Sequence, residues 1–132
     1  MTTHYHAVVW MDHQHARILS FSADACEPTD VHTNLAGHHL QHKANIHGSG
    51  HRSVDKDYFT RIVRSVGDAG AVLLCGPGTA KVEFKHYLDN EVPALNERIA
   101  AVETVDHPSD GMLLALGRKF FKADDRMHSP AA

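Results

Sequence analysis

The sequence predicts a single α/β domain in which one mixed sheet packs against helices. Two extended segments joined by a short polar turn come first, and helix and strand patterns then alternate toward the C-terminus. A continuous apolar run near the middle of the chain is typical of a strand that helices cover on both faces. A chain of 132 residues is long enough for one such core. We expect the domain to cover residues 1–122 and a polar tail to follow at 123–132.

The first three elements are predicted to be strands. Residues 6–11 and 16–21 are rich in apolar and β-branched side chains, and the polar segment 12–15 between them suits a hairpin connection. A third extended segment lies near 29–33. A long loop is predicted at 34–53, because this segment is poor in large apolar residues and rich in histidine and glycine.

A helix is predicted over residues 54–66. Its apolar residues repeat at intervals of three or four and therefore share one face. These residues are Val54, Tyr58, Phe59, Ile62, Val63 and Val66.

A buried strand, a tight turn and another helix are predicted next. Residues 71–75 are all apolar, and the glycines of Gly76-Pro77-Gly78 permit a sharp reversal of the chain. In the helix that starts at Thr79, an apolar stripe faces the sheet. The charged residues Lys81 and Lys85 are therefore expected on its outer side.

The N-terminus of this second helix is a candidate anion site. Its backbone N–H groups and positive dipole end attract phosphate, and Lys81 adds a cation in the first turn. The pattern is not a P-loop, because the lysine does not directly follow the second glycine. The candidate RNA- or anion-binding residues are Gly76, Gly78, Thr79, Lys81, Lys85, His51 and Arg52. The alternative is that the turn only connects a strand to a helix.

The last elements are a short helical turn at 93–98, a strand at 99–105 and a C-terminal helix. Ser109 or Asp110 can cap that helix. Together with Asp106, the same segment also places carboxylates at the end of a strand, where α/β sheets often bind ligands. We favour the capping role.

Two segments carry a family resemblance. They are Leu74-Cys75-Gly76-Pro77-Gly78-Thr79-Ala80-Lys81-Val82-Glu83-Phe84 and Val102-Glu103-Thr104-Val105-Asp106-His107-Pro108-Ser109-Asp110-Gly111. With them, the chain from Tyr5 to about Phe121 resembles the central domain of the archaeal and eukaryotic peptide-chain release factors and of the Pelota family. Bacterial single-domain relatives, often labelled translational machinery proteins, resemble it still more closely. The resemblance implies a ribonuclease-H-like fold and a role in translation as an RNA- or ribosome-binding module.

In the release factors, a loop with a Gly-Gly-Gln tripeptide positions water at the peptidyl-tRNA ester. The resemblance aligns that loop with residues 47–53, where His51 and Arg52 replace the second glycine and the glutamine. Arg52 can hold a phosphate but cannot act as a general base at neutral pH. We therefore expect binding without release-type hydrolysis. The alternatives are a peptidyl-tRNA or related ester hydrolase that uses this loop, and a homo-oligomeric stress or interaction protein.

Histidine is frequent, with 13 residues in the chain. Pairs separated by four positions would share a helical face and can hold zinc or nickel through their imidazole nitrogens. The candidate metal ligands are His38, His42, His47 and His51. The alternatives are a solvated polar loop and a catalytic histidine.

The formal net charge is -3 with neutral histidines. Near pH 6.5 about half of the imidazoles would be protonated, which shifts the net charge to roughly +3 or +4. Any RNA contact at neutral pH must therefore come from local basic patches. The cations available for such patches include Lys43, His51, Arg52, Lys56, Arg61, Arg64, Lys81 and Lys85. The alternative is that these are ordinary solvated charges.

No segment resembles a signal peptide or a membrane span. The two cysteines do not form a disulfide framework, since Cys26 is expected in a loop and Cys75 in the core. These features predict a cytoplasmic protein. Neither cysteine has a sequence context that indicates a nucleophile.

Overall fold

A computed structural model describes the backbone of residues 5–33 and 49–128, and the side chains of 5–33 and 56–122. The described part contains five strands and four helices. In chain order these are β1 (His6–Met11), β2 (His15–Phe21), β3 (Cys26–His32), α1 (Ser49–Val66), β4 (Ala71–Gly76), α2 (Ala80–Glu91), α3 (Pro93–Asn96), β5 (Ile99–Thr104) and α4 (Asp110–His128). Every element predicted from the sequence is found among them.

The strands of the described part form one mixed sheet in the order β3-β2-β1-β4-β5, which confirms the predicted fold class. β1 pairs antiparallel with β2, and β2 pairs antiparallel with β3. β4 lies parallel to β1, and β5 lies parallel to β4. Because β1, β4 and β5 run in the same direction, the loops that follow them meet at one edge of the sheet. We call this the carboxyl edge; it consists of residues 12–14, 77–79 and 105–109.

Helices cover the sheet on both faces. One face packs against α1 and α2 through Ile62 and Phe84. The opposite face packs against α4 through Leu113 and Phe121. β1 lies between the two layers, and its residues 7–11 are fully buried, which explains its near-continuous apolar sequence. In the ranges that the structure describes, no helix combines the length and the apolar composition that crossing a membrane requires.

The first helix is longer than predicted. It begins at Ser49 rather than at Val54, so the end of the predicted loop at 34–53 is helical. Gly50 falls within the first turn and residues 51–53 include no helix breaker, so a helix fixed by packing further along can extend back through them. The remainder of the predicted loop lies outside the described residues.

Two other boundaries differ from the prediction. α4 continues to His128, past the end predicted for the domain at Lys122, because residues 123–128 contain neither glycine nor proline. β3 starts at Cys26, which is therefore a strand residue rather than a loop residue. Pro28 does not prevent this, because β3 is an edge strand and one side of it needs no N–H donor.

The two cysteines of the chain differ in exposure. Cys75 is fully buried in β4, and burial raises the pKa of its thiol to about 12. Cys26 is partly exposed, and burial raises the pKa of its thiol as well. Because the thiolate is the reactive form of cysteine, neither thiol is activated as a nucleophile.

The end of β4 lies very close to the end of β1. A side chain on Gly76 would overlap the backbone carbonyl oxygen of Met11. A backbone oxygen within a paired strand cannot rotate away, so this contact requires glycine. Gly78, in the turn that follows, has open space around the position of a side chain.

Gly76→Ala should destabilise the protein. The added methyl group must displace the Met11 carbonyl, and overpacking of this kind costs about 1–3 kcal/mol. Urea unfolding followed by circular dichroism would measure the change in the free energy of unfolding. Gly78→Ala is the matched control, and we expect it to remain within about 0.5 kcal/mol of the unsubstituted protein. Equal stabilities of the two variants would contradict this account of the β1–β4 contact.

The thiols should react in a fixed order. At about pH 8, a disulfide reagent such as DTNB should modify Cys26 slowly and leave Cys75 unmodified, because the Cys75 thiol is enclosed and protonated. Both thiols should react after unfolding in urea. Cys26→Ser should abolish the reaction of the folded protein. Rapid modification of Cys75 in folded Cys26→Ser would mean that this thiol is activated or that β4 opens readily.

Candidate functional site

The connection between β4 and α2 holds several of the predicted anion-binding residues. They are Gly76, Gly78, Thr79 and Lys81. Lys81 is buried, with 6% of its surface exposed, and its ammonium group donates a hydrogen bond to the carbonyl oxygen of Gly78. Lys81 lies beside the buried stripe of α2, so its apolar stem packs against the protein while the ammonium group returns to the turn. The prediction that Lys81 lies on the outer side of the helix is therefore wrong.

A carboxylate faces solvent at the start of α2. The hydroxyl of Thr79 donates to Oε2 of Glu83 over 3.3 Å, and Nε2 of His13 lies 3.1 Å from the same oxygen. A negative charge in the first turn also complements the positive end of the helix dipole. The turn therefore offers an external anion less positive potential than the sequence predicted. Phosphate binding at this turn stays a prediction.

The other predicted RNA-binding residues lie on α1 and α2. Lys85 comes one helical turn after Lys81 and is partly exposed. His51 and Arg52 lie in the first turn of α1, where the backbone alone is described. Their participation in a common site also stays a prediction.

The predicted metal ligands are mostly beyond the described ranges. His38, His42 and His47 lie outside the described residues, and His51 belongs to the first turn of α1. Zinc or nickel binding at these histidines stays a prediction. Among the side chains that the structure does describe, no three histidines, cysteines or carboxylates converge as metal ligands would.

A row of four rings crosses the carboxyl edge on the side that α4 covers. The ring centroids of His107 and Trp10 are 5.0 Å apart, those of Trp10 and His15 are 5.3 Å apart, and those of His15 and His32 are 5.4 Å apart. Three of these residues come from adjacent strands, where side chains on one face lie next to each other. The local sequence does not predict this row, because His107 comes from the distant loop after β5. What could have indicated this row is the predicted topology, because the carboxyl ends of parallel strands meet at the same edge of a sheet.

Asp12 lies between two of these imidazoles. Its Oδ2 is 3.9 Å from Nε2 of His107, and its Oδ1 is 3.7 Å from Nδ1 of His15. Oδ1 also accepts the backbone N–H groups of Gln14 and His15 over 2.8 and 2.9 Å, which fixes the hairpin turn. Asp106 Oδ1 lies 2.9 Å from Nδ1 of His107. Imidazoles and carboxylates thus alternate at this edge in the order His15, Asp12, His107 and Asp106.

The loop after β5 is fixed to the first two strands. The indole N–H of Trp10 donates to the carbonyl oxygen of Asp106 over 2.6 Å. Arg17 donates to the Asp110 carboxylate over 2.6 Å and to the carbonyl oxygen of Pro108 over 2.7 Å. Arg17 therefore forms an ion pair with Asp110, the first residue of α4.

The capping role predicted for this segment is confirmed. The hydroxyl oxygen of Ser109 accepts the backbone N–H of Met112 over 3.2 Å. The carbonyl oxygen of Ser109 accepts the N–H of Leu113 over 2.9 Å, which begins the helical hydrogen-bond pattern. Asp110 adds a negative charge in the first turn. Ser109 is therefore the cap.

A groove lies between the edge strand β3 and α1. Asp30 and His32 line it on the strand side, and Arg61 and Arg64 line it on the helix side. Its volume is about 550 Å³. Both arginines belong to the set of cations that the sequence offered for local basic patches, and this groove brings the two together.

No family model and no curated protein sequence matches the chain. The chain is similar in structure to Pelota of Archaeoglobus fulgidus, with a TM-score of 0.61 and 16% identity over 89% of this chain and 32% of that chain. It is also similar to Pelota of Thermoplasma acidophilum, with a TM-score of 0.56 and 18% identity over 80% of this chain and 29% of that chain. Dom34 of S. cerevisiae has a TM-score of 0.56 and 10% identity over 95% of this chain and 36% of its own.

These similarities confirm the fold that the resemblance to the Pelota family implied. Identities between 10% and 18% establish a shared fold alone. The chain spans about a third of the length of each of these proteins, between 29% and 36%. Its mixed sheet with helices on both faces is therefore the fold of one portion of Pelota and Dom34.

Proposed function

We propose that this chain is a translation-associated module that binds the ribosome or its RNA and does not catalyse release-type hydrolysis. The observation that carries the proposal is the fold shared with Pelota and Dom34 over most of the chain. Dom34 is a translation termination-like factor involved in RNA quality control pathways and interacts with Hbs1. Because the chain shares this fold, translation is the best candidate process for it as well. The cations on α1 can bind RNA phosphates.

The charged side chains at the carboxyl edge are engaged with partners inside the protein. The Lys81 ammonium group is bonded to a backbone carbonyl, and the carboxylates of Asp12 and Glu83 lie against imidazoles. Both thiols are held in the protonated form. In the aligned loop of the sequence, His51 and Arg52 stand where the release factors have glycine and glutamine. The aligned loop therefore lacks the neutral glutamine with which the release factors position water, and we expect binding without release-type hydrolysis.

Because the net charge is negative at neutral pH, RNA binding must rely on local basic patches. At -3 with neutral histidines, the protein as a whole does not attract RNA at neutral pH. Mild acid protonates imidazoles, and the net charge rises to roughly +3 or +4 near pH 6.5. Association with RNA should therefore depend on pH as well as on salt.

The chain should sediment with ribosomes or their subunits in a sucrose gradient at low salt. The bound fraction should fall when salt is raised from about 50 to about 500 mM, because phosphate contacts release counterions. At fixed salt it should rise between about pH 7.5 and about pH 6, because imidazoles become cationic. Immunodetection across the gradient would measure both effects. A chain that stays at the top of the gradient at low salt and at both pH values would refute the proposal.

Purified chain should not cleave peptidyl-tRNA on ribosomes above the background rate. Release-type hydrolysis needs a flexible glycine pair and a neutral side chain that orients water, and the aligned positions carry His51 and Arg52 instead. Release of labelled peptide would be the measurement, with a release factor as the positive control. Cleavage that is lost in His51→Ala or Arg52→Ala would establish a hydrolase that uses this loop. Cleavage that survives both substitutions would mean that the loop alignment is wrong.

A further inference from the structure

The groove between β3 and α1 places two arginines beside an open edge of the sheet. Arg61 and Arg64 line it on the helix side, and β3 has no second neighbouring strand in the described part of the sheet. We propose that this groove binds the phosphate backbone of RNA. This proposal rests on the proposed function and identifies the surface that contacts RNA.

Arg61 is held in a fixed orientation within the groove. Its Nη2 donates to the carbonyl oxygen of His32 over 2.6 Å, and its Nε donates to Oδ2 of Asp57 over 3.3 Å. These bonds connect α1 to β3 and fix the guanidinium plane, while the other N–H groups of the guanidinium can still donate to an external acceptor. A side chain that is already ordered loses little entropy when it binds a ligand. Arg61 therefore shapes the groove and presents part of its guanidinium there.

Arg64 supplies a charge that no described residue neutralises. It lies three positions after Arg61, so both side chains project from the same side of α1. It is exposed, and it makes no ion pair or hydrogen bond with any residue that the structure describes. A guanidinium group can contact a phosphate through two parallel N–H donors. Arg64 is therefore the main phosphate contact in this groove.

Two carboxylates lie close to the groove. Asp57 is engaged by Arg61 over 3.3 Å and has little charge left for a ligand. Asp30 belongs to the strand side of the groove, but strand alternation directs its side chain to the face that α4 covers, next to its register partner Arg17. Loss of the Arg64 charge should therefore weaken binding of an anion, and loss of the Asp30 charge should change it little.

An extended polyanion suits this surface better than a small anion. The groove follows a strand and a helix, and its two arginines come from positions one helical turn apart. A chain of phosphates can contact both guanidinium groups and continue along the exposed edge strand, so it makes more contacts than one small anion held by the same two arginines. RNA is the extended polyanion that the ribosome presents, and its phosphates match the donor geometry of arginine.

Filter binding of radiolabelled single-stranded RNA of mixed sequence would test the groove, with the purified 132-residue chain at about 50 and about 200 mM salt. Arg64→Glu should weaken binding by about tenfold at the lower salt and reduce the salt slope by about one. Asp30→Asn should change binding by less than about twofold, because its carboxylate lies on the face of the sheet that α4 covers. Lys119→Glu on α4 is the matched control, because it makes the same charge change at an exposed residue of a helix on the opposite face of the sheet. Circular dichroism should show the same fold for all variants.

Equal weakening by Arg64→Glu and Lys119→Glu would overturn the proposal, since net charge alone would then explain the effect. Displacement of RNA by a poly-glutamate peptide at the same charge concentration would also overturn it, because the groove would then be a general acidic-chain site. If Arg64→Glu binds RNA like the unsubstituted chain while both sediment with ribosomes, the groove is excluded and the proposed function stands. If the unsubstituted chain binds neither RNA nor ribosomes, both proposals fail.

Discussion

The burial of β1 between two layers of helices is the constraint on which the rest of the structure depends. Residues 7–11 have no exposed surface, so every polar group they carry needs a partner within the protein. β2 and β4 satisfy the backbone through the sheet. The Trp10 indole N–H is satisfied by the carbonyl oxygen of Asp106 over 2.6 Å, and it would cost about 1–3 kcal/mol if it were left without an acceptor. One buried side chain thus fixes the loop between β5 and α4.

The carboxyl edge and α1 use their charges in different ways. At the edge, the carboxylate of Asp12 faces His15 and His107, and the first turn of α2 holds Glu83 next to His13. Groups arranged in this way satisfy one another and attract external ions weakly. On α1, Asp57 engages Arg61, whereas the exposed side chain of Arg64 pairs with no residue that the structure describes. We therefore expect an external anion to bind more strongly beside α1 than at the carboxyl edge.

The sequence predicts this fold best where burial is uniform and least where a residue's environment comes from distant parts of the chain. β1 and β4 are continuous apolar runs, so their bounds are nearly those predicted. β3 begins earlier than predicted because an edge strand tolerates Glu27 and Pro28, which look like loop residues. Helical spacing gives the angle of Lys81 around α2 but not the path of its flexible side chain. The ring row joins His107 to residues of the first hairpin, and no local pattern encodes that contact.

Trp10 is the only tryptophan in the chain, and it lies where the first hairpin meets the loop after β5. His107 and His15 contact its ring, and the Arg17 guanidinium carbon lies 4.9 Å from the ring centroid. Indole emission responds to the polarity and charge of its surroundings. The tryptophan fluorescence of this protein therefore comes from one defined junction, with no second tryptophan to obscure it. Movement of residues 105–109 away from β1 would therefore change the emission of Trp10, and no added label would be needed to detect it.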